Sequence, residues 1–324
     1  MEVQIYRHLL LDLFILNWNQ YLLTKADKLV KRIGLSSEEL PDAISLPADG
    51  QYGPFKFINM CVTDSLLMAL YRLYLKTDRV KSLFSCHEIL RAAMVFLHAR
   101  MYNEAKACWV FAQINLATNR IFKVTVTNDS LSIVPCFVVD ARSEPKDHLN
   151  IFNEFVLATY HFDEDNIIAA IHQKTLIKTL GKFEHLGDVR ALGINDYNPA
   201  AIIVEVDRRL DTAPPLTVCD DYDRIFELQC LLTTLKSSLD HVIVGLFLSD
   251  RWVLYDDLKP TFEDFNPGNA DFKDDFVILV AGYVNIPNGE SPNVPFGISE
   301  EGQCGTVGFN PAYDRPPNKK EHLD

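Results

Sequence analysis

A cysteine, a histidine and a pair of carboxylates stand along this chain in the order Cys61, His241, Asp256 and Asp257. The cysteine lies in FINMCVTDSLLMAL, Phe57 to Leu70, just ahead of an apolar helical face that begins at Leu66. A thiol kept for packing would normally lie among the leucines, and burial as a small hydrophobe is the commoner fate of a free cysteine. At a helix entrance it instead meets unpaired backbone N–H groups and the positive end of the helix dipole, both of which favour thiolate. The N–H of the residue itself is a first-turn donor, open to an oxyanion. The second segment, LDHVIVGLFLSDRWVLYDD, sets a histidine near the start of one strand and Asp-Asp at the end of the next. An antiparallel hairpin returns its end to its beginning, which brings Asp256 or Asp257 beside His241. Nucleophile, base and orienting carboxylate are the parts of nucleophilic acyl transfer.

The elements that must position these groups read as helices first and strands afterwards. The spacing predicts a helix over 8–33, then a turn-rich loop, GLSSEELPDAISLPADGQYGP, leading to Cys61. Helical periodicity runs from 61 to about 117 through CVTDSLLMALYRLYLK, HEILRAAMVFLHA and NEAKACWVFAQINLA. After Arg120 the period changes: IFKVTV and LSIVPCFVVDA read as a hairpin and strand, and a helical stretch follows from about Leu149 to Leu180. The segments AAIIVEVDRRL, RIFELQCLLTTL, HVIVGLFL, RWVLYDD and DFVILVAGYV then read as strands of an antiparallel sheet. The fold class is α+β, an N-terminal helical subdomain packed on a C-terminal antiparallel β-sheet. The expected organisation is a helical segment over 1–45, a domain over 46–284 with its helical part at about 57–118 and its mainly β part at about 120–284, and an irregular tail over 285–324.

Charge narrows the partners. With 31 Lys and Arg against 44 Asp and Glu, the net charge is −13, which argues against a phosphate-binding surface and predicts no nucleic-acid partner. Seven cysteines without a CxxC pair give neither a disulfide framework nor a zinc site, so the reading is a reducing compartment, cytoplasm or nucleus, and no metal or cofactor. HLLLDLFIL near the start is interrupted by Asp12 and continues helically, so it reads as a packed amphipathic helix rather than a signal peptide. No run reaches the eighteen or so apolar residues of a membrane span.

These landmarks resemble the ubiquitin-specific protease family of papain-like cysteine peptidases. Its cysteine box, roughly N-x-C-x-x-N-S-L-L-x-A-L, is matched by Asn59, Cys61, Ser65, Leu66, Leu67, Ala69 and Leu70, with Asp64 in place of Asn. Its histidine box is matched in order by Phe226, Leu228, His241, Trp252, Asp256 and Asp257, and NPAAIIVEVDRRL is similar to the strand that the family carries after a Pro. Asp240 stands where the family has Gly, Val242 where it has an aromatic, and Lys56 where it has its oxyanion Asn; NEAKACW is a distant echo of its acidic box. The resemblance implies a papain-like fold in which Cys61 attacks a peptide or isopeptide carbonyl at the C-terminus of ubiquitin or a ubiquitin-like modifier. His241 would be the base and Asp256 its orienting carboxylate, with Asn59 and Asp257 in support. On a strand, adjacent side chains point to opposite faces, so only one aspartate should meet the imidazole. Because such modifiers end in a narrow Gly-Gly tail, the site should be a covered channel between helices and sheet. Two other readings stay open: a protease-like module that binds a modifier or partner without cutting it, and another acyl transferase, such as one with transglutaminase-like chemistry.

Other candidates carry less. Cys86 with His87, and Cys108, have the wrong spacing for zinc. His148, His161, His172 and His185 show no partner in the sequence. EDFNPGNADFKDD reads as a solvated acidic loop, and Tyr313 in NPAY as a chance match to a short recognition motif.

Overall fold

The sixteen-residue segment CVTDSLLMALYRLYLK contains no Gly or Pro and forms helix α2, Cys61–Lys76, buried on every side from Val62 to Leu75. A helix buried on every side lies inside a fold rather than on it, and α2 packs both against other helices and against the main sheet. The computed structural model describes residues 2–33, 46–85, 88–115, 122–127, 136–148, 168–172, 200–206, 214–219, 224–259, 261–268 and 272–286. Met1–Val294 form one compact unit; the second, Pro295–Asp324, lies outside the described residues, and with it Tyr313. Cys86, His87, His161 and His185 also lie outside them.

The helical layer comprises α1 (Glu2–Ile33), α2, α3 (Asp78–Ser85), α4 (Glu88–His98) and α5 (Tyr102–Asn115). In α1, Ile15, Asn19, Leu22 and Ala26 are buried, a stripe at helical spacing turned toward α4 and α5. Lys25 pairs with Glu104 of α5 at 2.7 Å and Arg91 of α4 with Asp27 at 2.7 Å.

Two sheets follow. The turn-rich segment before Cys61, expected as a loop, closes into a short hairpin of β1 (Gly50–Tyr52) and β2 (Phe55–Ile58). Gly53 occupies its turn at φ 56°, a conformation that glycine adopts without a Cβ penalty. The expected hairpin after Arg120 is β3 (Lys123–Thr127) paired antiparallel with β4 (Cys136–Asp140), and β4 runs parallel to β2, giving a four-stranded sheet β1-β2-β4-β3. A short helix α6 (Pro145–His148) follows.

The main sheet is built from β5 (Ile168–His172), β6 (Ala201–Glu205), β7 (Thr217–Cys219), β8 (Ile225–Leu235), β9 (Ser238–Leu248), β10 (Arg251–Tyr255), β11 (Glu263–Asp264) and β12 (Phe276–Ile286), with the four-residue helix α7 (Phe272–Asp275) leading into β12. Its order is β11-β10-β9-β8-β12-β6-β5, with β7 on β8. Every pairing is antiparallel except β5 with β6. The class is therefore α+β, a helical N-terminal part with a largely antiparallel sheet. One expectation is corrected: Ile168–His172, read as helix within 149–180, is a strand, because a parallel neighbour offered its backbone a ladder; the rest of that stretch lies outside the described residues.

Alternation along β9 sends Val242, Val244, Leu246 and Leu248 toward the helices and Ile243 and Phe247 to the other face. That second face is covered in turn. Phe265 and Phe272, from the segment expected as a solvated loop, pack on Trp252 and Phe276, with ring centroids 6.2 Å apart for Phe265–Trp252 and 5.1 Å for Phe272–Phe276. Its acidic residues Glu263, Asp264, Asp274 and Asp275 remain exposed.

Candidate active site

The site forms where the head of α2 meets the beginning of β9 and the end of β10. Asn59 precedes the helix in the left-handed region at φ 57°, and its amide donates to Asp140 Oδ1 at 2.9 Å. The same oxygen accepts the Arg142 N–H at 3.1 Å, and the Asn59 hydrogen bond holds the Asp140 carboxyl below its ordinary range. Met60 follows at the N-cap position without a side-chain cap, and the first helical bond is Asp64 N–H to Met60 carbonyl, 2.8 Å. The N–H groups of Cys61 and Val62 thus have no partner within the helix, and both residues line the cleft.

Ser65, one turn on, donates its hydroxyl to the Val242 carbonyl at 3.0 Å, locking α2 to β9 beside His241. Strict alternation would turn His241 to the face of Ile243, away from α2. The register slips there: Thr234 pairs with Val242 but Leu235 with Ser238, which leaves Leu239, Asp240 and His241 without partners on β8. A bulge of this kind re-aims a side chain, and His241 lines the same cleft as Cys61, whose side chain acts on the ring. Its Nε2 lies 2.8 Å from Asp256 Oδ1, so Nδ1 is the nitrogen left to face the thiol. The Cys61 side chain, with the Asp256 and Asp257 carboxylates, outweighs burial and pushes the His241 pKa up to about 9. The ring is an imidazolium at neutral pH.

Both aspartates approach the ring, which departs from the expectation that one must face away. Strand β10 ends at Tyr255 and a turn begins, with Lys259 N–H donating to Asp256 carbonyl at 2.9 Å; the opposite-face rule lapses once the strand has ended. Asp256 accepts the Leu258 N–H at 3.0 Å as well as the imidazole. Asp257 sits 3.5 Å from Nε2. Burial raises its pKa, against the pull of the imidazolium, and its Oδ1 has no hydrogen-bond donor.

These groups open on a cleft of about 810 Å³ whose walls include Asp49, Asn59, Ser143, Asp147, Leu239 and Leu258. Asn59, expected as an oxyanion donor, lines the cleft with its amide hydrogen-bonded to Asp140, whereas the Cys61 and Val62 N–H groups have no partner within the helix. Among the described residues, His241, Asp256 and Asp257 also offer ligand atoms within 4.8 Å of one another, a nitrogen and two oxygens of the kind that bind a divalent cation. Cys61, Cys108, Cys136 and Cys230 are free thiols, and no helix among the described residues is long and apolar enough to cross a membrane.

Sequence reasoning missed the roles of three groups behind the cleft. His148, read as unpartnered, is fully buried. Its Nδ1 accepts the Trp109 indole N–H at 3.1 Å. Indole only donates, so Nε2 carries the ring proton and gives it to Ser143 Oγ at 2.6 Å, while Ser143 donates to the Ala141 carbonyl at 2.9 Å. Burial holds the His148 pKa down at about 3, and the neutral ring braces the cleft wall. The other two groups, Asp64 and Lys106, form a fully buried ion pair at 2.8 Å. A lysine amid the alanines of NEAKACW was the visible signal.

No family model matches the chain, and no curated protein matches it. Among solved structures it is similar to one described as the crystal structure of an essential yeast splicing factor, at 9% identity over 70% of this chain and 67% of that one, with a TM-score of 0.31. A likeness that distant carries no argument about fold or function.

Proposed function

We propose that this chain is a papain-like cysteine hydrolase that cleaves the peptide or isopeptide bond at the C-terminus of ubiquitin or a ubiquitin-like modifier. The observation that carries the reading is the linked set Cys61, His241 and Asp256, with the thiol at a helix head and the imidazole held at Nε2 by a carboxylate 2.8 Å away. The resemblance in the cysteine and histidine boxes supplies the modifier.

In this mechanism the Cys61 thiolate attacks the carbonyl carbon beside the imidazolium, and the C–O π electrons move to oxygen. The Cys61 and Val62 N–H groups meet that oxyanion. His241 gives its proton to the departing amine as the C–N bond breaks, leaving a thioester on Cys61. Neutral His241 then takes a proton from water, the resulting hydroxide displaces the thiolate, and the modifier leaves with a free carboxylate. Asp256 keeps Nδ1 aimed at sulfur throughout.

The test is a panel of modifiers ending in a C-terminal electrophile. One modifier should form a covalent adduct, mapped to Cys61 by peptide analysis and lost in Cys61→Ser. An adduct that persists in Cys61→Ser through another cysteine overturns the assignment. The engagement of Asn59 by Asp140 favours a second reading, a module that binds without cutting. That reading predicts modifier binding without adduct or turnover.

A further inference from the structure

We propose that Lys106 is a positioning residue for this site: through its buried pair with Asp64 it ties the Pro47–Asp49 wall of the cleft to the first turn of the helix that carries Cys61. The proposal rests on Cys61 as nucleophile for its functional consequence, although the tether itself does not. Both side chains are fully buried, Nζ to Oδ2 being 2.8 Å. An ammonium has three donors, and here all three are used, by Asp64 Oδ2, the Pro47 carbonyl and the Asp49 carbonyl at 3.3 Å. Asp64 stands in the first turn of α2, its N–H making the first helical bond. Ala48 and Asp49 line the cleft that Cys61 opens on. One cation therefore joins α5, the head of α2 and a wall of the substrate cleft.

A buried ion pair is poor evidence for stability, because apolar residues of the same shape usually serve as well. What they cannot supply is donors for two carbonyls on the wall. Two further carboxylate oxygens of the region, Asp64 Oδ1 and Asp257 Oδ1, are buried without a hydrogen bond, the second 3.5 Å from the His241 ring. The burial of the carboxylate explains why the pair is all or nothing, since either partner alone would be stranded in the interior.

The paired variant Asp64→Leu/Lys106→Met keeps the shape of both side chains and removes both charges, so folding should survive with a melting temperature within a few degrees of wild type. Hydrogen exchange of the amides of residues 46–53 should then accelerate about tenfold or more, while those of β8 and β12 keep their protection. The kcat/KM for a modifier C-terminal substrate should fall about tenfold, chiefly through a higher KM. Alkylation of Cys61 by iodoacetamide, which needs no cleft wall, should stay within about twofold. Asp64→Asn/Lys106→Gln, which restores two N–H donors, should fall between this variant and wild type. Unchanged exchange at 46–53 in either paired variant that keeps its melting temperature overturns the tether, and faster exchange with unaltered KM overturns the positioning role. If the wild-type chain cleaves no modifier, the proposed function fails while exchange still decides the tether.

Discussion

Asp256 Oδ1 lies 2.8 Å from His241 Nε2 and Asp257 Oδ1 lies 3.5 Å away, so two carboxylates compete to orient one imidazole and distance selects the first. On the proposed mechanism, Asp256→Asn should lower turnover by about tenfold to a thousandfold, since a thiolate depends on its base less than a hydroxyl does. Asp257→Asn should lower it less. Steady-state kinetics on variants with matched melting curves separates them, and the reverse ranking would mean that Asp257 holds the ring. The imidazolium has a second, thermodynamic consequence. With its folded-state pKa raised to about 9 by Cys61 and the two aspartates, protonation of His241 favours the folded state fully below its unfolded value near 6.5. That contribution fades as pH rises through about 9. The melting-temperature advantage of wild type over His241→Ala should therefore be largest below pH 6.5 and shrink steadily up to pH 9. An advantage that grows over that interval contradicts the imidazolium assignment.

At the scale of elements, β9 does two things at once. Its regular half, from Val242 to Leu248, divides two cores, and its irregular start delivers His241 to α2. Gly245 marks where the far face is closed: a Cβ there would come within 2.2 Å of the Phe265 ring, which is held by Trp252, Phe272 and Phe276. Gly245→Ala should destabilise the fold by about 1–3 kcal/mol through overpacking, read as a lower urea midpoint. A midpoint equal to wild type would show that Phe265 does not clamp the sheet. The bulge and the clamp were invisible in the sequence, because both depend on which strand lies alongside and which distant loop folds back.

For the whole molecule, α1 is the element whose role is easiest to test. Leu22 is 1% exposed in a stripe with Ile15 and Ala26, so Leu22→Ala should cost about 2–5 kcal/mol, measured by denaturant unfolding; a change below about 1 kcal/mol would mean that α1 is not part of the core. Periodicity in HLLLDLFIL and its continuation was enough to read that helix as packed, and the same kind of local pattern set out α2, the β3–β4 and β9–β10 hairpins and the α+β order. The placement of the candidate residues was legible for the same reason. A helix entrance and a hairpin are short-range devices, so Cys61 at the one, and His241 with Asp256 at the two ends of the other, follow from nearby residues alone. What the tertiary structure decided is long-range: the parallel pairing of β2 with β4 that sets Asn59 on Asp140, the register slip that aims His241, and the burial of Lys106 against Asp64. Each joins segments whose own composition is indifferent to the partner. A lysine among alanines suits an exposed helix as well as a buried tether, and only the carbonyls and carboxylate that the fold brings to it determine which it is.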